Sequence, residues 1–193
     1  MSKNPFRWAN CRADVDAVKH ELTIRVFLNN VICPAVASLE ARIAELEHSN
    51  EPAACFIQAD TKVVLAETKK AFALAVQSIW ERQLRAYLCI CAAELQPESG
   101  VVIKIPNASW KQLCEIFLQL RGIALNEFPS FEQLDTLQLV GNSCRHGDGP
   151  SALELSQRYR SWWPQYVPLP SDFGPHSPPA LVVGTMDIPL AAV

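Results

Sequence analysis

Apolar residues recur every three or four positions along most of the chain, which is the spacing of one face of an α-helix. Pro34 lies inside the first such stripe, which covers residues 13–47. Because proline has no N–H to donate to the carbonyl of Asn30, we expect a kink there or two helices end to end. The apolar positions of this stripe are Val15, Val18, Leu22, Val26, Ile32, Val36, Leu39, Ile43 and Leu46.

A second apolar stripe predicts a helix over residues 60–95, with Asp60 as its N-cap. Its opposite face carries charged residues that we expect to be solvent-facing, among them Lys70. Glu81 and Arg85 are four positions apart and are therefore spaced for an ion pair. Since only a short polar break separates the two long helices, we expect them to form an antiparallel hairpin.

Three shorter helices are expected after this hairpin. Residues 101–105 have strand propensity and predict a short strand or an extended connector. Asn107 or Ser109 then caps a third helix that runs to about residue 125 and contains Gly122. A fourth helix follows Ser130, and a fifth runs from residue 150 to a stop at residue 164. The pattern as a whole predicts an all-α fold, a bundle of about five helices built on the long hairpin.

Proline changes the picture near the end of the chain, where seven of the fourteen prolines lie between Pro164 and Pro189. We therefore expect a helical domain over residues 1–163 and a proline-rich arm or loop over residues 164–193. Asp187 resembles the N-cap of a further helix, for which too few residues follow. We expect the chain to be truncated relative to its relatives.

Composition and charge limit the classes of function. The chain is 49% apolar and 19% charged, with a formal net charge of −3, so any RNA contact needs a local basic patch. The first residues form no signal peptide, and the most apolar run, residues 86–93, is far shorter than a membrane span. We expect a cytoplasmic protein with no membrane contact. The mean hydropathy of +0.06 indicates either a large core or a face buried against a partner. Together with the long apolar stripes, it leads us to expect a homodimer.

Seven cysteines are present, at irregular spacing and without a C-x-x-C pair. An odd number with no framework spacing indicates free thiols in a reducing compartment rather than disulfides. Four of them lie in apolar, helix-like stretches and are expected in the core: Cys33, Cys89, Cys91 and Cys114. Because paired ligands are missing, we expect no metal site, and no motif indicates a cofactor.

The segment most indicative of function is residues 139–149, LVGNSCRHGDG. Asn142 and His146 are four apart and share one face of the fourth helix. Arg145 lies beside His146, and both cations are near a helix C-terminus, where the helix dipole favours positive charge. Gly147 is suited to end this helix as the C′ residue. A structural interpretation is also open, in which Arg145 and His146 only cap the helix and Asn142 bonds the next loop.

This segment resembles the signature of HEPN domains, which is Arg-Asn-x-x-x-His near the end of a bundle helix. Asn142 and His146 match the signature, Gly141 occupies the position of the arginine, and Arg145 is a nearby arginine. Residues 79–85 also resemble the second bundle helix of that superfamily, where Glu and Arg line the cleft. The corresponding substrate-binding candidates here are Glu81, Arg82 and Arg85. The resemblance spans about residues 60–163.

The resemblance implies a small helical RNase of a toxin–antitoxin or phage-defence system. Two chains would pair across a cleft, His146 would act as base toward an RNA 2′-hydroxyl, and an arginine would hold the phosphate without a metal. An antitoxin would be a further protein partner. Because Gly141 replaces the family arginine, we expect the difference to affect RNase activity more than the fold. The alternative function is a catalytically silent bundle that acts through protein–protein contact.

Overall fold

A computed structural model of the chain describes residues 9–165 and 181–189, and within these ranges it contains helices and no strand. The predicted all-α fold is confirmed. Short 3-10 turns join several of the helices. The helices are α1 (Arg12–Phe27), α2 (Cys33–Glu47), α3 (Ala54–Leu95), α4 (Val101–Lys104), α5 (Trp110–Arg121), α6 (Phe131–His146) and α7 (Pro150–Arg158).

The irregularity expected near Pro34 takes the form of a π-helical segment. Leu28–Ile32 is π-helical and joins α1 to α2, and Pro34 lies in the first turn of α2. A proline removes one N–H donor from the helix ladder, and wider helical turns are one way for the backbone to accommodate that loss. The two helices therefore run as one continuous helix rather than breaking apart.

Two expected helix boundaries are wrong. α3 begins at Ala54, so Asp60 lies inside the helix and is not its N-cap. α5 ends at Arg121 because Gly122 takes a left-handed conformation with φ of 72°, a backbone position that favours glycine. At the other end of α5, Ser109 is the N-cap, and it forms a capping box with Gln112.

The strand expected over residues 101–105 is also wrong, because Val101–Lys104 is a helical turn. Val101 and Ile105 are both buried, whereas Ile103 between them is 82% exposed. A strand would place all three side chains on one face, while a helical turn brings residues four apart together and directs the middle one away. Burial of two β-branched residues one turn apart therefore prevails over local strand propensity.

The chain forms two compact units. Unit one consists of Met1–Val31 and Val76–Asp135, and unit two consists of Ile32–Ala75 and Thr136–Val193. In unit one, the first turn of α1 contacts the second half of α3, since the Arg12 N–H donates to Glu94 and the Tyr87 hydroxyl donates to Asp14. The core of this unit includes Leu84, Leu88, Cys91, Ile105, Leu113 and Phe117.

The core of unit two contains residues from near the end of the chain. Met186 and Ile188 are fully buried beside Trp163, whose Nε1 donates to the Val182 carbonyl at 2.9 Å. Asp187 is not helical here, and its N–H donates to the Trp162 carbonyl at 2.7 Å. The rest of the expected proline-rich arm, residues 166–180 and 190–193, lies outside the described residues. Trp162 and Trp163 are both buried in this core.

The apolar face of α1 is exposed. The "α1 stripe" comprises Val15, Val18, Leu22 and Val26, whose exposed fractions are 66%, 69%, 60% and 48%. By length and composition alone, the continuous helix Arg12–Glu47 is apolar enough to cross a membrane, and 11% of its most apolar window is buried. The expectation that no segment reaches spanning length is therefore wrong by this measure. One such helix is weak evidence for a membrane protein.

Met186→Ala tests the packing of the final described segment. Removing a fully buried side chain should lower the free energy of unfolding by about 2–5 kcal/mol, because it leaves a cavity in the core of unit two. Leu153→Ala is the control, since Leu153 is 62% exposed and its truncation should change stability by less than about 0.5 kcal/mol. Urea unfolding followed by circular dichroism gives both values, and equal small losses would contradict the burial of Met186.

Candidate functional site

The C-terminal end of α6 presents the three residues that the sequence singled out for catalysis. Asn142 is half-buried, and Arg145 and His146 in the last turn are exposed. The helix ends as predicted at Gly147, which has φ of 75° and whose N–H donates to the Ser143 carbonyl at 2.8 Å. Within the part of the chain that the structure describes, the His146 ring makes no hydrogen bond. The imidazole is therefore accessible to a ligand from solvent.

Asp148 fixes the turn that follows α6. Its Oδ1 accepts a hydrogen bond of 2.6 Å from the Val183 N–H, which ties the turn to the final described segment. A residue of α3 also binds this segment: Lys70 Nζ donates to the Val183 and Gly184 carbonyls at 3.2 Å each. Hydrogen bonds within unit two thus hold the turn that follows α6. The exposed residues Arg145 and His146 directly precede this turn.

Lys70 is a correction to the sequence analysis, which placed it on a solvent-facing side. Its side chain is only 6% exposed and pairs with Glu67 at 2.5 Å. Lys70 also faces Cys144 of α6, where burial raises the pKa of the thiol and the nearby ammonium group partly opposes that rise. Its neighbour Lys69 pairs with Asp187 at 3.1 Å. Both lysines are therefore engaged by the chain itself.

Gly141, at the position of the family arginine, is buried in unit two. A glycine at a buried helix position allows close approach of neighbouring atoms and leaves little room for a long side chain. The position at which the sequence differs from the HEPN signature is therefore a buried one. Arg145, in the last turn of α6, is exposed and is the arginine nearest to His146 in the sequence.

The second set of candidates, on α3, forms a structural network. Glu81 Oε1 pairs with Arg85 Nη2 at 2.5 Å, so the expected ion pair is present. The Arg85 guanidinium also donates to three backbone carbonyls beyond α4, those of Ile105, Pro106 and Ala108, at 2.5, 3.1 and 2.8 Å. Arg85 therefore supplies hydrogen-bond donors to carbonyl groups that follow a short helix. Arg82, on the same helix as Arg85, is exposed.

The six predicted site residues are divided between the two units. Asn142, Arg145 and His146 belong to unit two, whereas Glu81, Arg82 and Arg85 belong to unit one. The contacts described above for Glu81 and Arg85 are made within unit one. The role assigned to these three α3 residues in holding a substrate stays a prediction.

Sequence reasoning missed a cluster in unit one, which we call the thiol–arginine cluster: Cys11, Asp14, Tyr87, Cys91 and Arg121. The side chain of Arg121 is fully buried, and its Nη2 donates to both carboxylate oxygens of Asp14 at 3.2 and 3.3 Å. Its Nη1 lies 3.2 Å from Cys11 Sγ and 3.7 Å from Cys91 Sγ. Burial raises the pKa of Tyr87 and that of Cys91, the latter to about 12.

No local pattern could have indicated this cluster. Asp14 and Arg121 are 107 positions apart, and Arg121 reads in sequence as an ordinary basic residue in the last turn of α5. The cysteines are free, as are the other five. Among the described residues, no group of three or more His, Cys, Asp or Glu side chains could hold a metal ion.

Comparisons of the chain with protein-family models, with curated proteins and with solved structures give no match. The HEPN resemblance therefore stays a prediction from the α6 motif and from residues 79–85.

Arg85→Gln and Arg82→Gln separate a structural arginine from an exposed one on the same helix. Arg85→Gln should lower the free energy of unfolding by about 2–4 kcal/mol, because buried carbonyls and a carboxylate lose a charged donor. Arg82→Gln should change it by less than about 0.5 kcal/mol. Chemical unfolding gives both values, and a stable Arg85→Gln protein would show that its contacts are dispensable.

Proposed function

We propose that the chain is a HEPN-like protein that acts on RNA at the exposed C-terminal end of α6. The observation that carries this proposal is the placement of Asn142, Arg145 and His146 in the last two turns of one helix, with the side chains of Arg145 and His146 exposed. The anchored turn at Asp148 supports it, because a rigid base holds functional side chains in a defined position.

The reaction is a metal-independent transesterification. His146 removes the proton of an RNA 2′-hydroxyl, whose oxygen attacks the adjacent phosphorus while the bond to the 5′-oxygen breaks. The products are a 2′,3′-cyclic phosphate and a 5′-hydroxyl end, and the departing oxygen takes a proton from solvent or from a second copy's imidazole. Arg145 stabilises the charge on the phosphoryl oxygens. Asn142, which lies one helical turn before His146, orients the substrate.

His146→Ala and His48→Ala form a matched pair for this proposal. Each histidine is exposed at the end of a helix in unit two, and His48 Nδ1 lies 2.9 Å from the Ala44 carbonyl. His146→Ala should abolish cleavage of total RNA in chelator, and His48→Ala should leave it unchanged. Both substitutions should lower the free energy of unfolding by less than about 1 kcal/mol, because both side chains are exposed.

The chemistry of the RNA ends distinguishes this activity from a contaminating nuclease. Fragments should carry 5′-hydroxyl ends, which polynucleotide kinase labels without prior phosphatase treatment. Equal cleavage by the unmodified protein and His146→Ala, or no cleavage by either, would rule out catalysis at this site. RNA binding without cleavage, lost in His146→Ala, would retain the site as a binding site.

The exposed α1 stripe favours a second candidate function, which is assembly through protein contact. Four large aliphatic side chains along about three turns of one helix form the kind of surface that a partner helix covers. We propose a second copy of this chain as the partner, because two identical apolar stripes can cover each other across a two-fold axis. A separate protein such as an antitoxin, and a membrane surface, are the competing occupants.

Leu22→Lys tests this assembly. The unmodified protein should have about twice the monomer mass of 21.4 kDa by light scattering, and Leu22→Lys should shift it toward the monomer. Thr23→Lys is the control, since it adds the same charge at an exposed polar position next to the stripe. A monomer at high concentration would contradict the dimer, and sedimentation of the protein with anionic vesicles would identify a membrane as the occupant instead.

A further inference from the structure

The thiol–arginine cluster brings together two cysteines that are 80 positions apart. The Sγ atoms of Cys11 and Cys91 are 3.3 Å apart, and a disulfide requires about 2.05 Å. Cys11 precedes α1 in extended backbone, with φ of −143° and ψ of 167°. Closing the remaining distance therefore requires a movement of Cys11, which lies outside the helix, while Cys91 stays within α3.

The two thiols differ in access to solvent. Cys11 is half-buried, whereas Cys91 is fully buried, so a small oxidant from solvent reaches Cys11 first. Arg121 is adjacent to both sulfurs, and a guanidinium keeps its positive charge when buried. The same guanidinium therefore contacts the Asp14 carboxylate and the Cys11 sulfur. Because burial raises the pKa of Cys91 to about 12, that thiol retains its proton at neutral pH.

We propose that Cys11 and Cys91 form a reversible disulfide when the protein meets a hydroperoxide. The Cys11 thiolate attacks a peroxide oxygen, so that an S–O bond forms, the O–O bond breaks, and the departing oxygen takes a proton from solvent. The Cys91 sulfur then attacks the Cys11 sulfenic acid. The S–S bond forms as the S–O bond breaks, and the hydroxyl group leaves as water with the Cys91 proton. A thiol reductant restores both cysteines by exchange.

The cross-link has a structural consequence within unit one. It joins the residue before α1 to the second half of α3 and closes a loop of about 80 residues. Long loops closed by a disulfide restrict the unfolded chain strongly, so oxidised protein should melt at a higher temperature than reduced protein. Oxidation would also fix covalently the start of the helix that carries the α1 stripe.

The experiment counts thiols before and after oxidation. Reduced protein treated with hydrogen peroxide is alkylated in denaturant without reductant and analysed by mass spectrometry. We expect seven alkylated cysteines before treatment and five after it, with the tryptic peptides 8–12 and 86–104 joined. Fragmentation distinguishes Cys91 from Cys89, which lies on the same peptide. Seven retained thiols, or a pair made by another cysteine, would overturn the proposal.

Controls separate a pairing directed by the fold from random oxidation. Cys114→Ser removes another half-buried thiol of unit one and should still give the cross-link, whereas Cys91→Ser should keep all six remaining thiols or give a trapped sulfenic acid on Cys11. Protein unfolded in urea before peroxide addition needs no variant at all. An equal yield of the same cross-link from unfolded protein would show that the fold does not direct it, and this would also overturn the proposal.

Discussion

Lys70 is buried on α3, and a buried ammonium group costs free energy unless hydrogen-bond acceptors surround it. Glu67 and the carbonyls of Val183 and Gly184 supply those acceptors, so Lys70 ties the final described segment to α3. Arg121 does the same in unit one, where its charge brings together the start of α1 and the end of α5. In each unit, the need to pair a buried cation fixes segments that are far apart in sequence.

This requirement also limits where a ligand could be bound. Lysines and arginines that satisfy buried carbonyls are already committed, as Arg85 is to the residues that follow α4. At the end of α6, by contrast, the side chains of Arg145 and His146 are both exposed. We therefore place the proposed phosphate contact at this helix end rather than in the network around Arg85.

The helical pattern predicted the element types well because apolar spacing is a local property. It located the end of α6 at Gly147, and Ser109 was one of the two N-caps it allowed for α5, since capping chemistry is also local. It failed where a distant partner decides the outcome. The sequence around Lys70 is typical of a surface position, because the carbonyls that bind it belong to residues 183 and 184. Likewise, the α1 stripe identifies an apolar face but not the partner that covers it.

The burial of Gly141 gives the difference from the HEPN signature a physical meaning. Gly141 is buried, and a long charged side chain is costly to accommodate at a buried position. Any arginine that serves this site has to act from the exposed side of the helix, where Arg145 lies one residue before His146. The phosphate would then approach the end of α6 rather than its inner face. Adjacent residues of an α-helix do not face each other, so the proposed catalysis requires the imidazole and the guanidinium to bend toward one phosphate beyond the helix end.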